Sequence, residues 1–146
     1  MTIGISSVRG VSAGTAKSLK GIGITNSEKL LAKAGGPKDR AALAAQLGVD
    51  AKMVLELANR ADLARVKGIG KVFSDLLENA GVDTVKELSK RKPENLVASM
   101  AEANGRLQLA KRNATLAEVT NWVSQAKALP PTLKYLPEPV RRIALT

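Results

Sequence analysis

Apolar residues recur along most of this chain at the spacing of one face of a helix. Val72, Phe73, Leu76, Leu77 and Ala80 form one such stripe, and Leu116, Val119, Val123 and Ala126 form another. Three Thr-to-Glu pairs, Thr25–Glu28, Thr84–Glu87 and Thr115–Glu118, have the spacing of reciprocal caps and predict helix starts. Pro37 and Pro93 fit the first turns of two more helices, where a missing amide costs nothing. Gly23, Gly35, Gly48 and Gly81 fall where helices should stop. No useful length alternates with a period of two, so an all-α fold is expected. From Leu129 onward the pattern changes. Pro130, Pro131, Pro137 and Pro139 forbid a continuous helix before Val140. Leu133, Tyr135, Leu136, Val140, Ile143 and Leu145 are nevertheless too apolar for a solvated tail. They predict an extended arm docked on its own body or on a partner.

The chain also matches itself at an offset of 58 residues. Val8-Arg9-Gly10-Val11 pairs with Val66-Lys67-Gly68-Ile69, Leu19 with Leu77, Gly23 with Gly81, and Leu30 with Leu88. Farther on, Leu55–Arg60 resembles Leu107–Arg112, and one extra residue brings Leu63-Ala64 onto Leu116-Ala117. A period this long implies two copies of a unit of several helices. A competing register pairs Lys20-Gly21-Ile22-Gly23 with the identical Lys67-Gly68-Ile69-Gly70. The offset of 58 covers more of both halves. In it, Gly21–Gly23 ends a helix and Gly68–Gly70 opens one. The expected organisation is a domain over 1–129, with repeats at about 5–62 and 63–129, and an arm over 130–146.

Composition narrows the chemistry. The 146 residues carry a formal charge of +10 and include neither Cys nor His. Disulfides, thiolate metal sites, thiol nucleophiles and His-based acid–base chemistry are thereby excluded. Gly10–Ser18 has the look of a phosphate-binding P-loop, but its second Gly does not directly precede the Lys and no strand leads into it. Asp62, Asp75, Glu78 and Asp83 fall at helix starts or on polar faces, where solvated surface charge accounts for them. No catalytic residue, metal or cofactor is expected. Met1–Gly4 does not begin a signal peptide, and no run of apolar residues is long enough to span a bilayer. Asn113-Ala114-Thr115 fits a glycosylation sequon but has no secretory context. A cytoplasmic protein is expected, nucleoid-associated if it binds DNA.

The charge surplus favours polyanionic partners. Val66–Lys71 places two glycines around one apolar residue just before a helix, with Lys67 and Lys71 on either side. Unpaired amides and the positive end of the helix dipole there make an anion site. The bland account is that the glycines let two helices approach, with Ile69 as a core plug. This segment resembles the helix-hairpin-helix family of DNA-backbone binders, whose hairpin carries a hydrophobic-Gly-hydrophobic-Gly signature. Val66, Gly68, Ile69 and Gly70 fit that signature, and Leu76, Leu77 and Gly81 fit the helix that follows. Arg9-Gly10-Val11-Ser12 matches less well, because Ser12 stands in place of the second Gly. The run from about Ile5 to Leu129 is similar to a bacterial family of unknown function made of two such repeats. That resemblance rests on stretches such as Asn59–Leu63, Gly81–Leu88 and Pro93–Leu96. It implies a compact tandem helix-hairpin-helix fold without supplying an activity. The glycosylase branch of the hairpin family carries a catalytic Asp in a loop after the hairpin, whereas this chain runs straight into helix after Gly70.

Two functions follow as expectations. The first is non-enzymatic, sequence-independent binding of double-stranded DNA. Phosphates would be held by Lys67, Gly68, Ile69, Gly70 and Lys71, and more weakly by Arg9, Gly10, Val11, Ser12 and Lys17. Single strands fit less well, since Phe73, Trp122 and Tyr135 are the only aromatic residues and cannot furnish a stacking platform. The second is a protein-interaction module, or a small subunit of a larger assembly, engaging a partner through the C-terminal arm. No membrane partner is expected.

Overall fold

A computed structural model describes residues 2–133 of the protein. After a short 3-10 turn at Ile5–Ser7, the chain forms α1 (Ala13–Gly21), α2 (Ser27–Lys33), α3 (Pro37–Leu47) and α4 (Ala51–Leu63). Then follow α5 (Lys71–Asn79), α6 (Val85–Ser89), α7 (Pro93–Leu107) and α8 (Leu116–Ala128). The one β feature among the described residues is an isolated antiparallel bridge between Gly4 and Asn26. The fold is all-α.

The ends of these helices follow local chemistry. Pro37 and Pro93 open α3 and α7, and Gly48 closes α3 at φ +71°. Thr115 and Glu118 form the complete reciprocal cap on α8. A two-pronged bond from Arg112 and a bond from the Thr115 amide hold the Glu118 carboxyl down at about 2. Thr84 caps α6 by accepting from the Glu87 amide. At α2 the expected cap is displaced by one residue: Asn26 accepts from the Lys29 amide, and the Thr25 hydroxyl accepts from Lys29 Nζ instead.

Around the glycines, the two halves follow the same course at the offset of 58. Val8–Ser12 and Val66–Gly70 are turns with a left-handed glycine, Gly10 at φ +91° and Gly68 at +98°. Each leads into a nine-residue helix, α1 or α5, which is followed by another left-handed glycine, Gly23 or Gly81. Gly21 is the last residue of α1 and Gly70 caps the start of α5, so the two Gly-Ile-Gly segments end and open helices as expected. The later part of the sequence match does not persist. Leu55–Arg60 lies within α4, whereas Leu107–Arg112 ends α7 and enters the loop after it. In position along the fold α4 corresponds to α8, which begins 65 residues farther on. Packing follows suit: α2 and α3 lie on α4, α6 and α7 lie on α8, α1 contacts α3, and α5 contacts α7.

Two apolar clusters result. One is built from Ile5 to Ala61 and includes Leu19, Leu30, Leu43, Val54 and Leu57; the other runs from Leu63 to Ala126 and includes Leu76, Leu88, Leu96, Met100 and Trp122. The predicted stripes supply Leu76, Leu77, Val119, Val123 and Ala126 to the core, but Val72 and Leu116 at the first turns of α5 and α8 are exposed. One residue from beyond α8, Leu133, returns to the first cluster. Arg65 reaches the same segment by donating to the Pro130 carbonyl at 2.9 Å. The remainder of the expected arm, with Tyr135, Leu136, Val140, Ile143 and Leu145, lies outside the described residues.

Asp62 corrects the expectation of solvated surface charge. It is 3% exposed at the end of α4, takes the Val85 amide at the start of α6 at 2.8 Å, and pairs with Arg65 at 2.8 Å. A buried carboxylate is tolerated here because an amide and a guanidinium both serve it.

Candidate functional site: the two glycine turns

The second turn is held from behind by α8. Trp122 packs so close to Gly68 that a Cβ there would sit 2.9 Å from the indole Nε1. With its positive φ, Gly68 is therefore required twice over. Gln125 acts on the neighbouring residue as a peptide unit would: its Oε1 accepts from the Lys67 amide at 2.9 Å, and its Nε2 donates to the Lys67 carbonyl at 3.0 Å. Ile69 is a plug in the second cluster, 6% exposed. Gly70 differs from its neighbours. Its φ of −85° is open to any residue, and a Cβ would meet nothing within 4 Å. It caps α5 with no side chain, so no side-chain acceptor serves the first-turn amides of that helix. Lys67 and Lys71 are exposed, and neither ammonium group pairs with a carboxylate among the described residues.

The first turn has the same backbone course with different dressing. Gly10 faces Leu57 of α4, where a Cβ would approach the Leu57 methyl at 3.3 Å. Ser12 accepts from the Thr15 amide, so the N-terminus of α1 is capped. Val11 is half-buried against the first cluster and its amide donates to the Val8 carbonyl at 3.1 Å. Lys17 is exposed on α1. Arg9 is engaged elsewhere: its Nε and Nη2 meet the two carboxylate oxygens of Asp75, on α5, at 3.1 and 2.7 Å.

These interactions bring parts of both turns together. A small cleft is walled by Arg9 from the first turn, Ile69, Gly70 and Lys71 from the second, and Arg60 and Ser74 beside them. Arg60 Nη1 donates to Ser74 Oγ at 3.0 Å and to Asp75 Oδ1 at 2.7 Å, and its Nη2 pairs with Glu78. Lys67 and Gly68 do not wall this cleft, nor do Val11, Ser12 and Lys17. Sequence reading missed Arg60, Asp75 and Gln125. Their signal was the equivalence of α4 with α8, which puts Arg60 and Gln125 at matching positions, each bonding to the second half's turn or helix. A stronger sequence identity, Leu55–Arg60 with Leu107–Arg112, obscured it.

The two aromatic side chains among the described residues pack on each other. Phe73 and Trp122 have ring centroids 5.4 Å apart, and Arg112 lies over Phe73 at 5.2 Å. Trp122 is buried and Phe73 is partly buried against the second cluster, so neither ring stands out as a stacking surface. No group of three or more acidic, His or Cys side chains among the described residues converges to hold a metal, and no helix among them is long and apolar enough to cross a membrane.

By its helices and paired glycine turns the molecule is a small all-α domain. A family model described as a domain of unknown function, DUF4332, matches residues 9–129, and the chain belongs to that family. No curated protein and no solved structure matches it.

Proposed function

We propose that this chain is a non-enzymatic, sequence-independent binder of duplex DNA backbone, built from tandem helix-hairpin-helix units and acting mainly through the turn around Gly68. The bare N-terminus of α5 carries this reading. Folding gives Gly70 no reason to be glycine, either in φ or in space. An open N-terminus flanked by two lysines with no carboxylate partner among the described residues suits a phosphate oxygen. The first turn is the weaker site, since Ser12 occupies an amide of α1 and Asp75 holds Arg9. A cytoplasmic, nucleoid-associated protein goes with this reading.

The test compares two pairs of substitutions by fluorescence anisotropy on a short labelled duplex at two salt concentrations. Lys67→Gln with Lys71→Gln should weaken binding more than Arg9→Gln with Lys17→Gln, to the same extent on any sequence. The slope of log K against log salt should flatten by about 0.9 for each phosphate that the variant no longer neutralises. Binding that is absent, or indifferent to both pairs, overturns the reading.

One observation favours an alternative. Trp122 and Gln125 account for Gly68 and for the Lys67 amide without any ligand. In that case the turn is structural and the protein is an interaction module, binding a protein partner and leaving duplex DNA alone at physiological salt.

A further inference from the structure

Asp75, on α5 in the second half, faces two guanidinium groups from the first half, those of Arg9 and Arg60, beside the cleft. Its Oδ1 is shared between Arg9 Nε at 3.1 Å and Arg60 Nη1 at 2.7 Å, while its Oδ2 takes Arg9 Nη2 at 2.7 Å. The three side chains are not equally fixed. Those of Asp75 and Arg60 are 13% and 15% exposed, whereas that of Arg9 is 51% exposed. Arg60 is held by Ser74 and Glu78 as well, so it stays beside Asp75 whatever Arg9 does. Departure of Arg9 would therefore not strand a bare carboxylate, and the usual penalty for breaking a partly buried pair is avoided. Arg9 also walls the same cleft as Gly70 and Lys71. A phosphate presents the two-oxygen edge that a guanidinium prefers, just as the Asp75 carboxylate does.

We infer that Asp75 is an internal competitor for Arg9: the guanidinium exchanges between this carboxylate and a backbone phosphate seated at the cleft, so that Asp75 sets the affinity for polyanions. This rests on the duplex-binding reading above. It goes beyond that reading by joining the two turns at one phosphate, with Arg9 serving the second turn's cleft rather than its own hairpin. Asp75 acts through Arg9 and need not touch the ligand.

The experiment measures binding of a short labelled DNA duplex to the full chain and to Asp75→Asn. The variant should bind up to about fivefold more tightly, the factor equivalent to an exposed ion pair worth up to about 1 kcal/mol. Its salt slope should steepen by about 0.9, because Arg9 then neutralises one more phosphate. Adding Arg9→Gln to Asp75→Asn should cancel both changes, whereas adding Lys33→Gln, which removes the same charge from an exposed position outside the cleft, should not; a general gain in positive charge predicts cancellation by either. Should Asp75→Asn fail to fold, Asp75→Ser serves instead. It also removes the competing carboxylate while leaving the Arg9 guanidinium intact, and a gain in affinity supports the exchange while no gain overturns it. Wild-type binding that depends on Lys67 and Lys71, with Asp75→Asn unchanged or weaker, overturns this inference alone. If neither protein binds the duplex, the reading beneath it falls as well.

Discussion

At the scale of single residues, the three glycines of the two turns have different physical causes. Gly10 and Gly68 have positive φ, and Gly68 also lies against the Trp122 indole. Gly70 meets neither constraint. Gly68→Ala should cost about 1–3 kcal/mol through strained backbone and displacement of Trp122, seen as a lowered denaturation midpoint. Gly70→Ala should cost less, up to about 1 kcal/mol, the ordinary preference for glycine over alanine at a helix N-cap. A loss at Gly70 as large as that at Gly68 would mean that its bareness is structural after all. Sequence alone identified these residues but could not rank them, since the constraint on Gly68 comes from a tryptophan 54 positions away in the chain.

Among the elements, caps and periodicity made the helices legible, because both depend on neighbours within one turn. Pro37, Pro93, Thr84 and Thr115 all act where the sequence places them. What periodicity cannot tell is which end of a stripe runs past the core, and so Val72 and Leu116 emerge exposed at helix starts. Nor does it separate a carboxylate on a polar face from one beneath a neighbouring helix, as with Asp62. The start of α8 gives a test in pH. The folded carboxyl of Glu118 titrates near 2, below an ordinary carboxylate, chiefly because Arg112 bonds to its charged form. Its contribution is therefore present above the ordinary value, near 4.5, and is lost as pH falls from there through about 2. Glu118→Gln should remove that part of the acid dependence, so the melting temperatures of variant and wild type should converge as pH falls through this window. Parallel curves would show that the ion pair does not persist in solution.

For the whole molecule, the offset of 58 was readable because both turns place a glycine at a similar positive φ, Gly10 and Gly68, which restricts the residues there. The equivalence of α4 and α8 was hidden, because packing constrains only volume and position, which Leu57 and Trp122 fill differently. The candidate cleft was hidden for a related reason, since its walls come from three separated stretches of chain. The segment after α8 was legible as apolar, and its one described core residue, Leu133, enters the first cluster. Deleting 130–146 should accordingly lower the melting temperature, by removing Leu133 and the Pro130 carbonyl that Arg65 uses. An unchanged melting temperature would make Leu133 dispensable. The position of Leu133 also bears on how the chain comes to be folded. The first cluster contains residues from the beginning of the chain and one from near its end, so a nascent N-terminal half emerging from the ribosome is one side chain short of its core. Asp62, meanwhile, has Arg65 three residues on for its charge but must wait for the Val85 amide to serve its second oxygen. Synthesis of either half alone leaves something open, and the protein should therefore melt and refold in one cooperative step, with no half that persists by itself.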